Sequence, residues 1–200
     1  MQWIGQDPLG CWKNREFVEL YMKALPNLSP HVVHTAKICD LISRAERRMI
    51  QFPRSIVSEG SGPSLLYNAY QQLEEVLQEH HLAIPKIVDR DTSELMLKRG
   101  NNPNKVLGCM TGRGSVFRKS QFDMVDNESI SLLRNAKEVH SSLLEANRIL
   151  KPHGLVELII HNMRFSPGFY TGMEHLGFAV LSEKNEGFAL SKGAFRRLRK

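Results

Sequence analysis

Past Pro53 the chain alternates short apolar runs with stretches of helical period, and this alternation constrains the fold more than any other feature. Strands are read at residues 54–57, at 83–88 (AIPKIV), at 105–110 and at 122–125 (FDMV). The plainest strand is LVELIIH, residues 155–161. Between them lie helical stretches. Leu65 to His80 places Leu65, Leu66, Ala69, Tyr70, Leu73, Val76 and Leu77 at helix spacing. TSELMLKRG is a shorter helix stopped by Gly100, Ile130 to Leu150 is a long one, and Phe169 to Leu176 is the last. The chain ends in GFAVLSE and GFALSKG, two strands joined at Lys184-Asn185-Glu186-Gly187. Strands that alternate with helices pair in parallel, with right-handed crossovers and helices on both faces. The expected fold is therefore α/β, a doubly wound, mostly parallel seven-stranded sheet closed by an antiparallel hairpin.

The first quarter reads differently. NREFVELYMKAL, residues 14–25, and residues 31–52 are predicted as two helices, stopped by Pro26 and Pro53. Residues 1–52 are thus expected to form a helical extension, and 53–200 the α/β domain with a basic tail. Arg44, Arg47 and Arg48 are placed on the exposed face of the second helix, as a solvated face or as a contact for an acidic partner.

Composition narrows the function classes. A chain of 200 residues, 42% hydrophobic and 24% charged, can bury a core without disulfides or metal. Cys11, Cys39 and Cys109 are odd in number and far apart, with no C-x-x-C pair, which fits a reducing compartment. His80-His81, His153 and His161 show no metal-ligand spacing, so no metal is expected. No apolar run reaches the roughly 18 residues of a membrane span. The N-terminus lacks a secretory pattern. The expected location is intracellular, nuclear or cytoplasmic, or mitochondrial if a presequence has been removed. A net charge of +6, much of it in Arg196, Arg197, Arg199 and Lys200, favours an acidic partner such as RNA or a ribonucleoprotein, or describes a solvated end.

Five stretches in order resemble the class I S-adenosylmethionine-dependent methyltransferases, over roughly residues 53–195. IVSEGSGPS, residues 56–64, is similar to the first motif, a strand, an acidic residue and a Gly-x-Gly-x-Gly loop. Gly60 and Gly62 match the first two glycines. Ser64 stands at the third, and Ser58 at the acidic position, with Glu59 beside it. Glycines let such a loop turn tightly and approach a ligand. IVDRDTSELML, residues 87–97, resembles the second motif, whose acidic residue holds the ribose hydroxyls. Asp91 falls there, Asp89 competes with it, and Asp91 also suits a helix N-cap. FDMVDNESIS, residues 122–131, resembles the strand-four segment that lines the substrate side. LLEANRILKPHGLVELIIHN, residues 143–162, resembles the helix, turn and fifth strand, with His153 replacing the first glycine of the turn. HLGFAVLSEKNEGFALSKG, residues 175–193, resembles the closing hairpin. The helix between the first two motifs is longer than in the family.

The resemblance implies S-adenosylmethionine as cofactor, held by Ser58, Glu59, Gly60, Gly62, Asp91 and Asp126. Asp126 and Glu128 are the candidates for a base, or else they are solvated or cap the following helix. Phe165, Phe169 and Tyr170 form either an aromatic lip over a base or core of the last helix. Two functions stand. One is an active methyltransferase acting on RNA or an RNA-associated protein. The other is a catalytically silent scaffold of a nucleic-acid-containing complex, with a protein partner on the N-terminal helices, motivated by the altered first motif.

Overall fold

The computed structural model describes residues 14–24, 30–108, 111, 115–127, 130, 135–161, 166–186 and 190–198. Helices α1 (Arg15–Ala24) and α2 (Pro30–Glu46) precede β1 (Ser55–Glu59), α3 (Leu65–Gln72), α4 (Glu74–Glu79), β2 (Lys86–Asp91) and α5 (Glu94–Arg99). Then come β3 (Lys105–Leu107), β4 (Phe122–Asn127), α6 (Ala136–Ile149), β5 (Leu150–His161), α7 (Pro167–His175), β6 (Phe178–Glu186) and β7 (Leu190–Arg197).

The strands make one seven-stranded sheet in the order β3-β2-β1-β4-β5-β7-β6. β3, β2, β1, β4 and β5 pair in parallel, and β7 runs antiparallel between β5 and β6. This is the doubly wound sheet with a terminal hairpin that the alternation predicts.

Period-two alternation splits the core between two faces. Ile56, Ile87, Met124 and Leu155 pack on one face under α2 and α3, with Ile38, Leu41, Leu66 and Tyr70. Val57, Val125, Val156 and Phe195 pack on the other, under α6 and α7, with Leu143, Ala146 and Met173. Helix α2 thus shares one core with β1 and β4. Phe169 and Tyr170 pack against the second core, edge-on to each other at 6.2 Å, as core residues and not as a lip; Phe165 lies outside the described residues.

Several boundaries differ from expectation, each for a local reason. Strand β2 begins three residues late, because Pro85 has no N–H to give the ladder, and Lys86 opens the pairing with Ser55. The 65–80 helix breaks at Leu73, whose φ is −100° and ψ 16°. Helix α6 starts at Ala136, capped by the Asn135 side chain, which accepts from the Glu138 N–H at 3.0 Å. Lys151-Pro152-His153-Gly154 is not a turn but a bulge inside β5, where Phe122 pairs with Leu150 and Met124 with Leu155.

Helix α2 ends six residues earlier than expected. The Met49 N–H donates to the Arg44 carbonyl at 2.9 Å, and the Arg48 N–H to the Ala45 carbonyl at 2.9 Å. This is a Schellman stop with Arg48 (φ +57°) in the left-handed place that glycine usually takes. Arg44 is not on an exposed face: it is 9% exposed and reaches Ser182 on β6 at 2.8 Å. Its partners below explain why a cation sits there. No described helix is long and apolar enough to cross a membrane.

Candidate functional site

In an open α/β sheet, ligands bind outside the carboxyl ends of the strands where the strand order reverses. Here that point lies between β1 and β4. The chain leaves β1 through a loop with left-handed residues at every second position, Gly60 (φ +66°), Gly62 (φ +54°) and Ser64 (φ +63°). Ser64 therefore keeps the backbone of a glycine while carrying a side chain. Its hydroxyl donates to Asp89 at 2.5 Å and accepts from the Asn102 N–H at 3.3 Å. That hydroxyl occupies the space a Cβ on Gly100 would need, so Gly100 is glycine for packing. Gly100 has φ −77°, so a left-handed helix stop is not its role.

The loop hooks over the end of β2. The Gly60 and Ser61 amides both donate to the Arg90 carbonyl, at 2.8 and 3.3 Å. The Gly62 amide donates to Asp91 Oδ2 at 3.0 Å, and the Ser93 amide to Asp91 Oδ1 at 2.8 Å. Ser93, not Asp91, caps α5 with its hydroxyl. Asp91 instead ties the glycine loop to the start of that helix, and burial raises its pKa against the N–H bonds from Ser93, Gly62 and Thr92. Asp89 lies fully buried below the loop on the same face, its pKa also raised by burial.

The register sets a polar row across the sheet. Ser58 pairs with Asp89 on one side and Asp126 on the other, and Asp126 pairs with Glu157. All four are buried, at 3%, 0%, 0% and 6% exposure, facing α2 and α3. Helix α2 supplies the cations. Lys37 Nζ reaches Asp126 at 2.5 Å, and Arg44 lies 3.8 Å from Glu157. Burial pushes Glu157 up to about 7, the Asp126 charge adds to the rise, and Lys37 and Arg44 oppose it.

The next row faces α6. Arg90 holds Glu59 through two hydrogen bonds, one of them Nε to Oε2 at 2.7 Å, lies 3.7 Å from Glu145, and sits 4.8 Å over the Phe117 ring. Asn127 Nδ2 donates to the Ser142 hydroxyl at 3.3 Å.

The expected site residues are thus divided. Gly60, Gly62 and Asp91 meet at the loop, Ser58 and Asp126 line the face toward α2, and Glu59 turns to the opposite face. Glu128 lies outside the described residues. Lys37, Arg44, Arg90 and Glu157 were not singled out from sequence as site residues. The usable signal was Asp126 and Glu157 on apolar strands: a buried carboxylate needs a cation, and Lys37 and Arg44 are seven apart on one face of the preceding helix.

This geometry has counterparts among solved structures. A chain of the complex between the Haloferax volcanii Trm112 methyltransferase activator and a methyltransferase superposes with a TM-score of 0.67. The match covers 97% of this chain and 99% of that one, at 14% identity. An S-adenosylmethionine-dependent methyltransferase from Clostridium acetobutylicum gives 0.66, covering 92% and 98% at 10% identity. The cyclase SpnF gives 0.59, covering 82% and 81% at 11% identity. The chain has the class I methyltransferase fold. No protein-family profile and no curated protein sequence matches it. The fold alone does not fix the chemistry, as the cyclase among its neighbours illustrates.

Proposed function

We propose that this chain binds S-adenosylmethionine at the carboxyl ends of β1, β2 and β4 and transfers its methyl group to RNA or an RNA-associated protein. The observation that carries the reading is the left-handed backbone at 60, 62 and 64, folded against Asp91. The residues present fit the cofactor. Asp91 accepts N–H bonds from Gly62, Ser93 and Thr92, and its two oxygens have acceptor capacity beyond these three for a ribose hydroxyl. The Ser61 hydroxyl is buried with no hydrogen-bond partner among the described residues, a polar atom that a ligand would satisfy. Asp89, Asp91 and Asp126 outnumber Lys37 at the carboxyl ends of β1, β2 and β4, a balance that suits a cationic ligand. The cofactor, when bound, supplies an electrophilic methyl on a sulfonium. The chain's own part is to hold and orient it and to keep water out, where most of the rate gain in such a transfer arises. Asp126 and Glu128 are the proposed proton acceptors.

RNA as acceptor is supported by the net charge of +6. A protein partner on the N-terminal helices is supported by Leu20 on α1 and Val32 on α2, each 66% exposed, and by the activator bound to the Haloferax neighbour.

A second reading, a silent scaffold, is favoured by one specific feature. Lys37 already neutralises Asp126 beside the crevice, and the Gly62 amide is already bonded to Asp91. Calorimetric titration with S-adenosylmethionine decides between them. The enzyme reading expects binding that Asp91→Ala abolishes. Absence of binding at millimolar cofactor leaves the scaffold.

A further inference from the structure

At the other end of the sheet, beneath the starts of β4 and β5, a cleft of about 480 Å³ opens between the end of α2 and the β5 bulge. It lies the length of β1 away from the crevice, roughly 17 Å at strand rise. Its size falls within the range of small-ligand sites.

Arg48, Lys151, His153 and Arg196 line it, with Asp123 the one acidic residue in the lining. Asp123 is already satisfied. It pairs with Lys151 at 2.8 Å and accepts from the Ser55 hydroxyl at 2.8 Å and the Ser55 amide at 2.9 Å. Lys151 and Asp123 therefore cancel, and the excess charge belongs to Arg48 and Arg196. Neither has a carboxylate partner among the described residues. Arg196 is oriented by donating to the Met49 carbonyl. Ile50, Phe52, Pro152 and Leu155 give the cleft an apolar floor.

The backbone points the same way. Arg48 (φ +57°) and His153 (φ +63°) are both left-handed, where glycine is the unstrained choice. They come from different elements, yet both carry basic side chains into this one cleft. The helix stop at Arg48 and the β5 bulge at His153 thus fix the two backbone positions from which these side chains line the cleft.

We propose that this cleft binds a phosphate-bearing nucleotide unit, its phosphate between Arg48 and Arg196 and its base on the apolar floor. The unit is either free nucleotide or one residue of a single-stranded RNA. The inference rests on the reading of RNA as a partner and is independent of methyl transfer.

The test is fluorescence anisotropy of the full chain, without cofactor, against a short labelled single-stranded RNA and, in competition, uridine monophosphate. The variant is Arg48→Gly with Arg196→Gln. Arg48→Gly places glycine in a left-handed position and should not lower the thermal midpoint by itself. Arg196→Gln gives up the bond to the Met49 carbonyl, so lost binding is assigned to the site only where the double variant keeps its folded thermal transition above the assay temperature. Wild type should bind with a salt slope that includes about −0.7 from the one phosphate neutralised on a single strand. The double variant should bind about tenfold or more weakly, with the slope reduced by that amount. Competition by the mononucleotide, itself lost in the variant, identifies free nucleotide as the source. RNA binding without such competition, lost in the variant, identifies a strand. Binding unchanged in the variant, or no binding of either probe, overturns the proposal. Loss of cofactor binding alone would overturn the methyltransferase reading and leave this one standing.

Discussion

The Ser64 hydroxyl fills the space that a side chain on Gly100 would occupy. A serine in a left-handed loop position and a glycine 36 residues later are thus a matched pair, since 100 minus 64 is 36. The expected consequence is specific. Gly100→Ala drives a Cβ into Ser64 and to 3.1 Å from the Pro63 backbone, and should destabilise by about 1–3 kcal/mol in urea unfolding. Ser64→Gly in the same chain should recover part of that loss. A double-mutant cycle with no coupling between the two positions would refute the pairing.

Glu157 gives a pH dependence of unusual sign. Its pKa rises from 4.5 to about 7 on folding, so between those values the folded chain holds a proton that the unfolded chain has released. The unfolded state then binds fewer protons, and stability falls as pH rises through that window. The groups facing it are Lys37, Asp40 and Arg44 from α2, Tyr70 from α3 and Asp126 from β4, with Ser182 on β6 beside the same small cavity. Comparing Glu157→Gln with wild type at pH 5 and pH 8 isolates this residue from the other titrating carboxylates. The glutamine variant should gain about 2–4 kcal/mol relative to wild type between the two pH values. An equal difference at both would show that Glu157 titrates normally.

Lys37 tests the electrostatics of the crevice and the choice between enzyme and scaffold. Lys37→Met removes the ammonium 2.5 Å from a fully buried Asp126 and should cost about 3 kcal/mol in denaturant unfolding. Lys37→Met with Asp126→Asn should cost less than Lys37→Met alone, because no stranded charge remains. If Lys37 also keeps a cationic cofactor away from Asp126, Lys37→Met should tighten S-adenosylmethionine binding in calorimetry. Weaker binding in a folded variant would instead make Lys37 part of the cofactor's support.

The sheet was legible because its strands are runs of aliphatic residues at period two between stretches at period 3.6, as in Val156, Leu158 and Ile160 against Leu143, Ala146 and Ile149. The loop 60–64 was legible through its glycines. What escaped was charge that the fold takes inside. Arg44 reads as part of the exposed face of an amphipathic helix, because nothing local distinguishes a cation facing water from one facing a buried carboxylate. Arg90, between Asp89 and Asp91, read as a strand end. Only the register across β1 shows it opposite Glu59. The bulge at Lys151–Gly154 read as a turn because Pro-x-Gly carries the same composition in both. The distinction lies in the pairing of Phe122 with Leu150, which is a long-range fact.

His153 supplies a last prediction, on the strain in that bulge. Its φ of +63° holds a branched ring in the left-handed region, at about 1–2 kcal/mol over glycine. Part of that relief is offset by the extra freedom glycine has in the unfolded chain, about 0.5–1 kcal/mol. His153→Gly should therefore raise stability by about 0.5–1 kcal/mol, visible as a higher urea midpoint at unchanged slope. His153 is exposed, so little packing is lost with the ring. Gly154 next to it provides the control. A Cβ there would meet the Lys151 carbonyl at 2.9 Å and the Asp123 carbonyl at 3.0 Å, both backbone atoms. Gly154→Ala should destabilise by about 1–3 kcal/mol. Opposite signs at adjacent residues would show that the bulge needs glycine for space at one position and tolerates strain at the other. A fall in stability for His153→Gly would mean that the imidazole makes a contact that outweighs the strain.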